Sequence, residues 1–443
     1  MKVWNWGRYP VVEGELRSWR GQAPEGPWIA RGLGRCYGDA SLGRHMASTL
    51  SLDRFLSFDP QTGWLDCEAG LSYRDLLEVF VPRGWFPPVT PGTKFVTLGG
   101  ALASDVHGKN HHVDGSFSRH VESFELIPAA GQALRCSREA HADWFWATAG
   151  GMGLTGLIRS LRLRLRPIES AWIRQEALRA RSLEEILALF DQFEASTYSV
   201  AWIDSLAGGK QAGRSILLQG EHARLDELPP ALRSTPLGLR MPPRLSVPFD
   251  FPAFALNPWS LRLFNALYYH KQLRPRVSSL VHYDGYFYPL DALHHWNRVY
   301  GRRGFVQYQL VIPKEAGREG IREVLRRVRA SGTGSFLSVL KLFGQADPGW
   351  MSFPIPGYTL AMDFPVRKAL FGFLDELDRL VADYGGRIYL SKDARLAPAM
   401  LDKMYPEAQR FKAFLDAHDP GQQICSHQAE RLGMRGQGAG MMV

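Results

Sequence analysis

The run Arg31-Gly-Leu-Gly-Arg35-Cys-Tyr37-Gly-Asp39 places Gly32, Gly34 and Gly38 within seven residues. Lacking Cβ atoms, a backbone of this kind turns tightly and brings several N–H groups to one point. Such a concavity takes the oxygens of a phosphate or pyrophosphate, and Arg31 and Arg35 add positive charge. A glycine-rich surface turn accounts for the run equally well. Both readings stay open on this segment alone.

A second stretch narrows the choice. Pro91-Gly92-Thr93, Thr97-Leu98-Gly99-Gly100-Ala-Leu-Ala-Ser104-Asp105 and His107-Gly-Lys-Asn110-His111-His112 are rich in small residues. Something must approach the backbone closely there. A metal site competes as an account of the histidines. Gly108 directly after His107 argues against a helical HxxxH pair, and no carboxylate falls in metal-like register. No metal is expected; a flavin cradle explains the glycine better.

The third signal is Gly150-Gly151-Met-Gly153-Leu-Thr-Gly156, which contains GxGxxG. As a dinucleotide fingerprint it needs a strand before it, a helix after it and an acid roughly 20 residues on. Here Asp143–Thr148 reads as helix. Leu157–Arg166 alternates apolar and basic residues and reads as strand. The order is inverted, so a nicotinamide-binding fold is rejected. The glycines remain free to pack against a cofactor.

With 443 residues, 45% of them hydrophobic, the chain has material for two domains. The formal charge of +9 favours anionic partners. No block of Lys and Arg marks a nucleic-acid tail, so no nucleic-acid partner is expected. The four cysteines form no CxxC or CxxH pattern, which argues against zinc and against a disulfide framework. No signal-like apolar segment opens the chain, and no apolar run reaches the roughly 20 residues that span a bilayer. The expected location is cytoplasmic, with peripheral contact at the inner membrane.

Composition shifts near Pro167. Helices are predicted over Ser72–Phe80, Ile321–Ala330, Phe371–Asp383 and Pro398–His418, and strands over Phe305–Ile312, Phe336–Phe343 and Tyr358–Phe364. Alternation puts Gln307 and Gln309 on one strand face, either exposed or reading a ligand. Lys341 sits in Leu340-Lys-Leu-Phe343, where a lysine must pair with an anion or lose its proton unless it is an edge-strand charge open to solvent. Val247–Leu280 is rich in proline and aromatics without clear periodicity. It reads as a mobile loop over a site, a surface that meets lipid, or a buried core loop. Gly436–Val443 reads as a loose tail.

The segments RGLGRCYGD, PGTKFVTLGGALASDVHGKNHHVDGSFSRHV, FWATAGGMGLTG, GFVQYQLVIP, VLKLFG, FPIPGY and GGRIYLSKDAR together resemble the decaprenylphosphoryl-β-D-ribose oxidase family. That family is the flavoprotein half of a 2′-epimerase, within the vanillyl-alcohol-oxidase or PCMH-type FAD-binding superfamily. The resemblance runs from about Trp6 to about Leu432. It implies an α+β fold: a two-part FAD domain (1–170 and 387–443, the latter with the tail) and an inserted substrate domain (171–386) on a mainly antiparallel sheet flanked by helices.

The resemblance also implies site residues. FAD contacts fall on Arg31, Gly32, Leu33, Gly34, Arg35, Cys36, Tyr37 and Gly38, then Gly92 and Thr93, then Thr97, Leu98, Gly99 and Gly100. Ser104, Asp105, Val106, His107 and Asn110 follow, with Gly151, Gly153, Gly156 and Tyr389. Gln307, Tyr308, Gln309 and Lys341 fall on the substrate side. Lys392 is the first candidate for proton relay, with His107 and Tyr37 competing. The implied reaction oxidises the 2′-hydroxyl of a polyprenylphosphoryl-β-D-ribose to a 2-keto sugar, and a separate NAD(P)H-dependent reductase completes the epimerisation.

Two departures from the family pattern stand out. Many superfamily members tether FAD through a histidine in the first glycine loop; that position here is Arg35, which implies non-covalent FAD. Some closer members carry a cysteine in the strand before Asp-Phe-Pro, where this chain has Ala361. The rival expectations are a soluble sugar, alditol or aldonolactone oxidase using O₂, and a basic nucleic-acid-binding protein.

Overall fold

The computed structural model describes residues 1–240, 245–252 and 254–436. Of the expected tail at 436–443, all but Gly436 lies outside the described residues. The chain is α+β. Its largest element is a sheet of eight strands, in the order Arg276–His282, Trp172–Ala180, Ser215–His222, Tyr198–Ile203, Ser338–Phe343, Gly357–Pro365, Phe305–Pro313 and Arg387–Ile388. Every pairing in it is antiparallel.

Register explains why this sheet forms and what each face does. Leu178, Leu217, Ala201, Leu340, Leu360 and Leu310 follow one another across paired strands. All are buried, and they pack against the helices Leu183–Gln192, Lys314–Ser331 and Leu370–Asp383. The opposite face carries Ile216, Trp202, Val339, Ala361 and Gln309 in register. Helices thus cover one face of the sheet, and its other face lines a cavity.

The amino-terminal part builds a three-stranded and a five-stranded sheet beside short two-stranded pairs. Glu15–Ser18, His45–Ser48 and Trp28–Arg31 form a parallel set. Leu134–Ser137, Val121–Ile127, Leu157–Arg164, Trp64–Glu68 and Phe55–Phe58 form an antiparallel one. Helix Tyr73–Phe80 starts at Ser72 because Ser72 and Asp75 satisfy each other's backbone N–H groups. After Arg387–Ile388 the chain returns to this part. Tyr37 N–H donates to the Ser391 carbonyl at 3.1 Å, and Trp28 N–H to that of Gln423 at 2.7 Å. Arg431 bridges Asp39 and Asp393, each at 2.8 Å.

The inverted order around the third glycine run is observed: helix Ala142–Thr148 precedes it and strand Leu157–Arg164 follows. Two expectations need correction. Pro398–His418 is two helices, Pro398–Met404 and Ala408–His418, parted at Tyr405-Pro406 because proline cannot continue the first. Val247–Leu280 is not simply irregular. It holds helix Pro258–His270, begun by Asn257, whose side chain accepts from the backbone N–H groups of Trp259 and Ser260, and part of the strand Arg276–His282.

Candidate active site

A cavity of about 850 Å³ lies between the glycine-rich segments and the open face of the large sheet. Its first wall is the loop after strand Trp28–Arg31. Leu33, Gly34, Arg35 and Cys36 present backbone N–H groups that no backbone carbonyl of the described residues takes up. Gly34 has φ +63°, a conformation that favours glycine. Arg31 is turned inward and held by Asn5 and by the Trp4 carbonyl at 2.9 Å. Arg35 lies over the Trp6 ring at 4.2 Å and the Phe95 ring at 5.0 Å.

The second wall is Gly92, Thr93, Thr97, Gly99, Gly100, Ser104, Val106 and His107, joined by Gly153 and Gly156. A Cβ on Gly92 would meet nothing within 4 Å, so the space before it is open. Backbone donors without partners, a glycine wall facing open space and a volume of several hundred Å³ fit a dinucleotide with a pyrophosphate and a flat ring.

The third wall is the sheet. Gln309 is buried, with its amide nitrogen 2.9 Å from His107 Nε2 and 3.2 Å from Thr359 Oγ1. Gln307 donates to Asp363 at 2.6 Å, and the Tyr300 hydroxyl donates to the same carboxylate at 3.0 Å. Lys341 and Lys392 point into the cavity, Lys392 with its ammonium 3.9 Å from the centre of the Tyr37 ring. Tyr389 donates its hydroxyl to the Ser104 carbonyl at 2.8 Å, tying the sheet end to the second glycine segment.

Burial controls the charges. Desolvation, helped by the charge of Lys392, pulls Lys341 down to about 7. Desolvation pulls Lys392 to about 8, with Asp363 opposing it. Lys109 is pulled to about 7 by the same cause. Desolvation and then Lys341 hold His107 well below the usual imidazole value, so the ring is neutral. Burial and the Asp363 charge keep the Tyr37 phenol well above its usual value. Burial lifts Asp363 to about 6. The polar end of the cavity therefore holds amines that gain protons readily when an anion arrives.

Most of the residues anticipated from the sequence meet at this cavity. Gly38, Leu98, Asp105, Asn110, Gly151 and Tyr308 do not line it. Leu98 is fully buried in the amino-terminal core. Asp105 accepts from Ser118 N–H at 3.0 Å and from the Ser352 hydroxyl at 2.6 Å, which braces the loop before His107. Asn110 donates to the Pro88 carbonyl at 2.8 Å and to Asp114 at 2.6 Å. Gly38 packs against Asp393 and Gly151 against Ala147. Tyr308 follows Gln307 on the strand, so it faces the helices and donates to Asp378 at 3.0 Å.

The structure adds Lys109 to the lining and Asp363 behind it, where it holds Gln307. Lys109 donates to the Tyr286 carbonyl and lies 4.1 Å from that ring's centre. Its signal was a lysine inside the unusual His107–His112 segment. The histidines themselves diverge: His111 meets Asp347 at 3.1 Å and His112 the Ser196 carbonyl at 2.8 Å.

Residues 22–137 match the FAD binding domain family. The chain is an FAD-dependent oxidoreductase with a PCMH-type fold. It is 39% identical to the decaprenylphosphoryl-β-D-ribose oxidase of Mycolicibacterium smegmatis, over 91% of this chain and 88% of that protein. It belongs to the decaprenylphosphoryl-β-D-ribose oxidase family. More distant relatives include an L-gulono-1,4-lactone dehydrogenase of Mycobacterium tuberculosis, 23% identical over 96% of this chain and 94% of that one. Cytokinin dehydrogenase 3 of Arabidopsis thaliana is 26% identical over 33% of this chain and 30% of its own length. Among the described residues no helix is long and apolar enough to cross a membrane.

Proposed function

We propose that this enzyme oxidises the 2′-hydroxyl of a polyprenylphosphoryl-β-D-ribose to the 2-keto sugar, the first half of its conversion to the arabinose form. The observation that carries the reading is the set of buried amines, Lys109, Lys341 and Lys392, at one end of a flavin-sized cavity. Amines so desolvated recover their charge against an anion, and a sugar phosphodiester supplies one. The chain divides, in this reading, into a two-part FAD domain, 1–170 and 387–443, and a substrate domain between them.

Bound FAD supplies a two-electron acceptor for the hydride leaving C2′. The protein must orient the sugar and remove the hydroxyl proton. Lys392 suits proton removal because its amine, at about 8, is partly neutral near physiological pH. Tyr37, held well above 10, serves as a hydrogen-bond donor rather than a base. His107 is neutral and braced by Gln309. Lys341 and Gln309 hold the sugar hydroxyls or the phosphate.

FAD is held without a covalent bond in this reading. Arg35 cannot form one, and burial keeps the neighbouring Cys36 thiol protonated. The keto product requires a separate NAD(P)H-dependent reductase. Peripheral contact with the bilayer that carries the substrate belongs to the same reading.

The test is anaerobic mixing with synthetic polyprenylphosphoryl-β-D-ribose. The expected result is bleaching of the flavin and a product lacking two hydrogens. Bleaching by free pentoses with peroxide release in air, and none by the lipid-linked sugar, would overturn the proposal in favour of a soluble sugar oxidase.

A further inference from the structure

The cavity is longer than its polar end. The open sheet face continues from Val339 across Trp202 to Ile216, and beside them Val200 pairs with Leu218 and Leu218 with Ala177. These side chains line the cavity. Of these six side chains only Trp202 carries a hydrogen-bonding group, its indole N–H, and that is given to the Phe336 carbonyl at 3.1 Å. Gln175, Lys271 and Gln272 line the cavity beside Ala177, Gln272 giving its amide to the Ala177 carbonyl at 2.9 Å. A sugar or phosphate finds no partner on those six side chains. A hydrocarbon chain loses nothing and leaves water.

Helix Pro258–His270 lies over this wall. It is anchored by buried Leu261, Asn265 and Tyr269. Asn265 donates to Asp204 at 2.8 Å and Tyr269 to the Ala180 carbonyl at 3.2 Å. Phe264 and Tyr268 reach the cavity, Tyr268 with its ring 4.6 Å from that of Trp202. The helix's outer side is apolar as well: Trp259, Leu263 and Leu267 are 78, 63 and 64% exposed. Exposed side chains of this size in one cluster mark an interaction surface.

The charge carried by this segment itself has one sign. From Phe251 to Tyr283 the chain has no acidic residue, while Arg262, Lys271, Arg274 and Arg276 occur. Of these, Arg276 is paired with Glu176. An apolar crest among cations is the pattern of a helix that rests in the surface of an anionic bilayer.

We infer that the wall from Trp202 to Ala177 is a channel for the isoprenoid chain of the substrate, and that helix Pro258–His270 seats its mouth on an anionic membrane. The inference rests on the substrate class proposed above. It gives that class a physical path, because Phe264 and Tyr268 join the exposed apolar crest of the helix to the wall at Trp202.

Binding of sugar-free isoprenyl phosphates to the flavin-loaded protein tests the channel separately from turnover. Farnesyl phosphate should bind about tenfold or more tighter than dimethylallyl phosphate, since its extra methylenes are buried. Leu218→Trp should abolish that difference and leave dimethylallyl phosphate unaffected. Leu218→Gln, close in volume to leucine, should reduce it without blocking the space. Equal affinity of the two phosphates for the unmodified protein overturns the channel. If the channel result holds while lipid-linked ribose fails to bleach the flavin, it is the proposed reaction that fails.

Co-sedimentation with vesicles tests the mouth. The protein should sediment with phosphatidylglycerol vesicles, and the triple change Trp259→Ser, Leu263→Ser, Leu267→Ser should release it with its flavin retained. Absence of binding by the unmodified protein, or undiminished binding by the variant, overturns the membrane seat.

Discussion

Gln309 holds His107 by a contact of 2.9 Å between its amide nitrogen and His107 Nε2. An amide N–H can donate there only if the ring proton sits on Nδ1. That Nδ1 is buried and has no hydrogen-bond partner among the described residues, although His107 lines the cavity. The glutamine thus selects the tautomer that leaves an unpartnered Nδ1–H on a residue of the cavity wall. Gln309→Leu should slow flavin reduction at saturating substrate about tenfold, the worth of one positioning hydrogen bond. Gln309→Glu should raise the His107 pKa, which an imidazole NMR titration reads. An unchanged titration in the glutamate variant would show that the contact does not govern the ring.

The lysines give the reaction a pH profile with two opposite limbs. Lys392 removes a proton only as the neutral amine. Its value of about 8 means that the neutral fraction grows as pH rises through neutrality and levels above 8. The rate at saturation should therefore climb with pH to that point. Lys341 and Lys109, both near 7, bind an anion only when protonated, so KM should rise as pH increases past 7. Lys392→Ala should cut the reductive rate by about 10²-fold or more, the scale of general-base catalysis, and flatten its climb. Lys341→Gln should act mainly on KM. Stopped-flow flavin bleaching across pH separates these effects, and a Lys392→Ala enzyme with a near-normal rate would remove Lys392 from the proton step.

Acid denaturation checks how FAD is held. With arginine at position 35 and a protonated Cys36, precipitation should leave all yellow colour in the supernatant. Colour in the pellet would mean a covalent link and would send the search to His107 or Cys36, which both line the cavity.

Much of the site could be read from the chain because its signals are local. Glycine spacing around Arg31–Asp39 and Pro91–His112 reports close backbone approach wherever the fold places it. Strand alternation put Gln307 and Gln309 on one face, as found; the same alternation turns Tyr308 to the helices, so its inclusion with its neighbours ran against the periodicity. Lys109 and Asp363 were harder to find. Their environment is made by Tyr286, Tyr300 and Lys392, far away in sequence. Helix Pro258–His270 hid for another reason. Its buried stripe contains Asn265, and its exposed side carries Trp259, Leu263 and Leu267, so hydrophobicity does not mark the inner face.

Glycines of the cavity wall separate folding from cofactor binding. Gly92 faces open space, and a Cβ there meets no atom within 4 Å. Gly156 has φ +147°, and its Cβ would lie 2.4 Å from the Ile127 carbonyl oxygen. Gly156→Ala must therefore shift the strand beginning at Leu157, and it should lower Tm markedly even in flavin-free protein. Gly92→Val should leave the Tm of flavin-free protein nearly unchanged. It should lower the fraction of flavin bound, because the new side chain takes space in the cavity. Paired Tm and visible-absorbance measurements on both variants check this. Full flavin occupancy in Gly92→Val would show that the cofactor does not approach Gly92 itself, and the cradle would then rest on the first glycine loop and the Thr97–Gly100 segment.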